Sequence, residues 1–182
     1  MIIPKIDDEK LIELENGLLL PPKELIIKVH DVLVLYYKKD SETGHLGIRD
    51  EASLDFLVLR PSYRKYSQDK KLENALKVSV ELFYDIISKH PFIDGNKRTA
   101  WAIGLMMLET NCSLYVNKKC QANEADEGKT CLDISKWVDN ADKAPLEKRI
   151  REAGVVPPHK KRITVEDVKR YISHLLLKHI KS

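Results

Sequence analysis

The decapeptide HPFIDGNKRT, residues 90–99, constrains the fold more than any other stretch, because it stops one helix and starts the next. Upstream, Leu72, Ala75, Leu76, Ser79, Phe83, Ile86 and Ile87 repeat at helical spacing, and His90 falls next on that stripe before Pro91 interrupts it. Downstream, Gly95-Asn96 opens an apolar helix running to Leu108, with Asn111 as its expected stop. Lys97 and Arg98 then fall in a first turn whose unpaired N–H groups and dipole are already positive. Each cation so placed costs on the order of 0.3–1 kcal/mol unless an anion answers it. The junction asks for a negative ligand.

The rest of the chain also reads as helical. Pro21 and Pro22 open a helix with Leu25, Ile26, Val29, Val32, Leu33 and Tyr36 on its stripe. KKDSETGHLGIRD (38–50) breaks the pattern with two glycines and reads as a loop or short hairpin. Asp50 caps a short helix through Leu54, Leu57 and Val58 that stops before Pro61, and Asp69 caps the helix leading to His90. Residues 121–130 begin another short helix and 131–140 continue the packing. Residues 141–162 read as a linker with a helical stretch, broken by Gly154, Pro157 and Pro158. Thr164-x-x-Asp167 has the form of a capping box for a last helix, with Val165, Val168, Ile172, Leu175 and Leu176 on one face. The expected fold class is all-α: a compact bundle with a flap loop or hairpin and a C-terminal helical extension.

A chain of 182 residues, 43% hydrophobic and 32% charged, suits one soluble domain with an appended piece. It holds no apolar run of about 18 residues, so no membrane span is expected. MIIPKIDDEK lacks the basic start and apolar middle of a signal peptide, and a cytoplasmic location is the default. Cys112, Cys120 and Cys131 cannot all pair within the chain and form no C-x-x-C, which argues against a disulfide framework or a zinc knuckle. Residues 141–182 hold 11 Lys and Arg against 5 Asp and Glu, whereas residues 1–140 hold 20 against 23. That break sets the expected division: residues 1–140 as the working domain and 141–182 as a basic extension. HKKR (159–162) with Lys169 and Arg170 could touch nucleic acid or form a solvated face. The second is favoured, because no aromatic residues interleave.

Read as chemistry, Gly95-Asn96 at a helix start turns several backbone N–H groups to one point, and glycine lets a ligand come close. Arg98 can grip phosphate oxygens bidentately and Lys97 adds a movable point charge. Asp94 beside them suits Mg²⁺, which takes one or two carboxylates and completes its shell with phosphate and water. A neutral His90 could accept a proton from an attacking hydroxyl. Taken singly, each residue has a plainer reading: a packed histidine, a turn with a helix cap, a solvated pair of cations. Their concentration in nine residues is what favours a site.

His90-Pro91-Phe92-Ile93-Asp94-Gly95-Asn96-Lys97-Arg98-Thr99-Ala100 resembles the signature of the Fic/Doc family, in its Doc (death-on-curing) branch. Gly47-Ile48-Arg49-Asp50, with Arg60-Pro61 after it, is similar to the preceding segment of Doc-like proteins, and the resemblance spans roughly residues 20–140. It implies a helical core with the signature between two helices and His90 as general base for a Ser, Thr or Tyr hydroxyl of a target protein. It further implies Asp94 as the Mg²⁺ ligand, and Gly95, Asn96 and Arg98 around the phosphates of ATP, with Phe92 as a buried anchor. The loop Thr43–Gly47, with Gly44, His45, Leu46 and Gly47, resembles the flap on which family members lay the target segment; without the family it is an ordinary solvent loop.

Lys97 bears on the reaction. Relatives that transfer AMP keep a glycine there and a second arginine where this chain has Trp101. In the Doc branch the lysine goes with a reversed nucleotide, so the resemblance implies phosphoryl transfer, with translation factors of the elongation factor Tu class as the family's target. AMP transfer and a catalytically idle binding module are the alternatives. The inhibitory pattern Ser/Thr-x-x-x-Glu-Gly/Asn is not met, because Leu11, Asp69 and Asn123 stand four residues before Glu15, Glu73 and Glu127. Control then falls to a separate antitoxin.

Overall fold

The computed structural model describes residues 11–15, 17–38, 45–59, 71–112, 115–116 and 124–181. Among these, a short antiparallel ribbon, β1 (Ile12–Glu13) and β2 (Leu19–Leu20), leads into seven helices. They are α1 (Lys23–Lys38), α2 (Glu51–Leu59), α3 (Lys71–Lys89), α4 (Asn96–Cys112), α5 (Glu124–Val138), α6 (Ala144–Glu152) and α7 (Val165–Lys178). A second ribbon pairs β3 (Tyr115–Val116) with β4 (Ile180–Lys181). The fold is all-α with two minimal ribbons. None of the described helices is long and apolar enough to cross a membrane.

Helices α3 and α4 form the most extensive contact, with α1 on α4, α7 on α3, and α5 against both central helices. α4 is buried nearly all round, from Thr99 to Leu108, as expected of a helix without a polar face. Gly104 lets α7 approach it: a Cβ there would lie 3.2 Å from Leu176 and 3.4 Å from Phe83. Asn111 does not end α4 by itself. Its amide bonds both the N–H and the C=O of Leu19, at 2.7 and 2.9 Å, fastening the first ribbon to the helix.

Three sequence expectations shift. On α1 the buried stripe is Leu25, Ile26, Val29, His30, Leu33 and Val34, while Val32 and Tyr36 are exposed. Residues 124–138 form one continuous helix rather than a short helix and its sequel. The division after Asn140 does not follow the packing: Leu146, Ile150, Val168, Ile172 and Leu176 are fully buried in the same core as Phe83, Ile103 and Ile134. The extension is basic in composition, yet its apolar residues close the core. The capping box at Thr164 forms as expected, with Asp167 N–H bound to the Thr164 side chain and the Asp167 carboxylate to the Thr164 N–H. Asp69, the expected cap of α3, lies outside the described residues.

Candidate active site

α3 ends where the sequence places its stop. His90 takes a left-handed backbone, φ 47°, a conformation that costs a non-glycine residue roughly 1–3 kcal/mol and turns the chain out of the helix before Pro91. The loop then folds back on itself. Phe92 is fully buried, and its peptide group is held from both sides by Asn96, whose Oδ1 accepts from Phe92 N–H at 3.0 Å while Nδ2 donates to Phe92 O at 2.8 Å. Asp94 Oδ1 accepts from Gly95 N–H at 2.6 Å. Gly95 has φ 74°, and a Cβ there would stand 2.7 Å from Val34. Glycine is required twice over, for conformation and for space.

α4 starts at Asn96, its first turn without an acidic residue and with Lys97 and Arg98 in it. A cleft of about 370 Å³ opens at this point, lined by Arg49, His90, Ile93, Asp94, Gly95, Asn96, Lys97, Arg98 and Gly128. Six of the residues singled out in the sequence thus share one cavity wall: His90, Asp94, Gly95, Asn96, Lys97 and Arg98. Both polar atoms of the Asn96 side chain are engaged with Phe92. Phe92 sits in the core, beneath the loop. Arg98 is exposed, its guanidinium 4.5 Å from the centre of the Tyr37 ring. Lys97 lies near Cys131 of α5; its charge favours the thiolate, but burial dominates and pushes the thiol up to about 12.

The flap residues are only partly described. Gly44 lies outside the described residues, while His45 and Leu46 are exposed and Gly47 is half-buried. None of the three described residues lines the cleft, but their segment runs beside the loop: Ile93 N–H donates to Gly47 O at 3.1 Å, and Ile48 bridges Phe92. Arg49 and Asp50 N–H groups both donate to Pro91 O, at 2.7 and 3.1 Å, and Arg49 Nη2 donates to Ile93 O at 3.2 Å. This pairing brings a third cation, Arg49, to the cleft, which the sequence reading left unassigned. The other missed residue is His30, buried beneath the loop; a histidine between Val29 and Leu33 on an apolar stripe was the signal for it.

Chemically the cleft combines three cations, a helix N-terminus, one carboxylate and one imidazole, a set suited to a polyanion and a proton transfer. Among the described residues no group of three or more His, Cys, Asp or Glu could hold a metal alone.

Residues 20–108 match the family described as Fic/DOC. The signature at 90–100 lies within the matched segment. Over 68 residues the chain is 35% identical to a protein named Toxin Doc, from Mycolicibacterium smegmatis (strain ATCC 700084 / mc(2)155). That alignment takes in 37% of this chain and 52% of the relative, so the chain spans about half the length of the curated protein it matches. No solved structure matches the chain.

Proposed function

We propose that the protein is a Doc-like toxin that transfers the terminal phosphoryl group of ATP to a hydroxyl of a target protein. The observation that carries the reading is the meeting of His90 with Asp94, Lys97 and Arg98 in one cleft at the start of α4. The N–H groups of that first turn, with Lys97, Arg98 and Arg49, offer the positive surroundings that a triphosphate needs. The donor set fits Mg²⁺: Asp94 uses one carboxylate oxygen on Gly95 N–H and keeps the other, and a single carboxylate beside phosphates is the usual protein share. When bound, the ion would offset charge on the phosphate oxygens.

In the reaction the target hydroxyl oxygen bonds to the γ-phosphorus as the bond from that phosphorus to the β–γ bridging oxygen breaks. ADP departs with the electron pair, and the hydroxyl proton passes to His90. The catalytic contribution of the chain is positioning and charge, so which phosphate faces the hydroxyl decides the product. Lys97 narrows the cleft where AMP-transferring relatives keep glycine. Trp101, at the position of their second arginine, is buried against Phe83 and His179 and stands outside the cleft wall. Both features favour transfer of the terminal phosphate. Elongation factor Tu is the first target to try, and a separate antitoxin is the expected restraint.

The deciding experiment incubates the protein, Mg²⁺ and candidate target with ATP labelled at the γ or the α position. Label from γ alone, on a hydroxyl residue, is expected. An AMP-sized adduct in the mass spectrum would overturn the phosphotransfer reading.

A further inference from the structure

The His30 imidazole lies under the anion-binding turn. It projects from α1 with its side chain 1% exposed, and it stacks on the Phe92 ring with centroids 3.9 Å apart and planes within 7°. Its Nε2 lies 2.9 Å from Asp94 O. A carbonyl oxygen only accepts, so Nε2 carries the proton and donates. The other ring nitrogen, Nδ1, lies 2.7 Å from Asp31 Oδ1 on the opposite side of the ring. The same ring faces Gly95, where a Cβ would approach its Cδ2 to 3.3 Å and its Nε2 to 3.4 Å.

We infer that His30 is a positioning residue for the cleft: it fixes the Asp94 carbonyl and the Gly95 turn, and through them the metal-binding carboxylate and the first N–H groups of α4. The inference rests on the reading of the cleft as a nucleotide site only for its consequence in catalysis; the positioning itself is a property of the loop. Three constraints act on consecutive parts of the loop. Stacking locates Phe92, the Nε2–H bond locates the Asp94 peptide, and the ring edge lies tightly against Gly95, where Val34 is the closer barrier to a side chain. Asn96 closes the same loop from the other end through Phe92. A displacement of about 1 Å at such a turn costs on the order of 10²-fold in rate.

Two variants of the full chain separate the donor from the ring. His30→Phe keeps an aromatic plane against Phe92 and removes the donor, whereas His30→Gln loses the plane and keeps an N–H within reach of Asp94 O. Amide hydrogen exchange of residues 92–98 and the kcat/KM of γ-phosphoryl transfer are measured for both, beside the melting temperature. In His30→Phe, exchange of the loop should quicken and kcat/KM should fall by about 10- to 10²-fold, beyond what any loss of melting temperature accounts for. His30→Gln should recover most of both. Loop exchange in His30→Phe equal to the parent, or a Gln variant no better than Phe, would overturn the inference. A parent protein that transfers no phosphate would overturn the proposed function, while the exchange result would still decide the role of His30.

Discussion

The start of α4 and the α6–α7 region both gather cations, and they use them in opposite ways. In and between α6 and α7, three cations have carboxylate partners: Arg149 with Asp126 and Asp133, Lys160 with Asp167, and Lys169 with Glu81. These pairs tie α6 to α5 and α7 to α3. At the start of α4, no carboxylate among the described residues pairs with Arg49, Lys97 or Arg98, although all three line one cleft. Cations answered within the fold are structural, whereas cations left converging on a helix N-terminus are the arrangement on which the proposed nucleotide site rests. The comparison also weakens a nucleic-acid role for the basic tail, since Lys160 and Lys169 already have partners inside the protein.

Removing the second region altogether breaks the comparison most severely. A chain ending at Asn140 would lose Leu146, Ile150, Val168, Ile172 and Leu176 and lay bare the faces of α3, α4 and α5 that they cover. Each such side chain contributes roughly 1.5–3 kcal/mol when buried, and a native protein has only about 5–15 kcal/mol in total. The truncated chain should therefore aggregate or unfold without a cooperative transition, as circular dichroism and calorimetry would record. A soluble, cooperatively melting product would restore the division at residue 140.

The opposite result is expected at the cleft, where chemistry should fail and the fold survive. His90→Ala should reduce transfer by about 10²–10⁴-fold, the usual contribution of a general base. Its melting temperature should stay close to the parent's, because His90 is a half-buried loop residue outside the core. Wild-type activity in this variant would remove His90 from the mechanism.

The two regions were also unequally legible in the sequence. The loop and the start of α4 are contiguous, so stop, turn, cap and charges could be read from neighbours. His30 and Arg49 could not, because stacking on Phe92 and pairing with Pro91 join residues some 40 to 60 positions apart. For the extension, composition showed an excess of cations but gave no means of seeing their partners. Glu81 lies 88 residues from Lys169. Period alone likewise located helical stripes but left their rotation open, which is why Val32 and Tyr36 on α1 proved exposed while His30 proved buried. The capping box was legible because it is local, four residues whose side chains and backbone satisfy each other.

That box supplies the smallest predicted effect and the sharpest test of cations answered inside the fold. The Asp167 carboxylate is buried, which by itself would push its pKa up. Lys160 Nζ at 2.6 and 2.7 Å, Thr164 N–H at 2.9 Å and the Thr164 hydroxyl at 2.8 Å outweigh that and hold it at about 2, below the ordinary 3.8. A carboxylate with a lowered pKa in the folded state contributes its full stability above the unfolded value and loses it as pH falls towards the folded one. Asp167→Asn should therefore lower the melting temperature by a few degrees near neutral pH, about what loss of a helix cap and its ion pair costs. The deficit should shrink as pH falls from about 4 to about 2, where the parent gives up the same charge. A deficit of constant size across that range would mean that Asp167 acts by packing and neutral hydrogen bonds alone. The cation of Lys160 would then be a solvated surface charge, and the contrast between the extension and the cleft would lose one of its three answered cations.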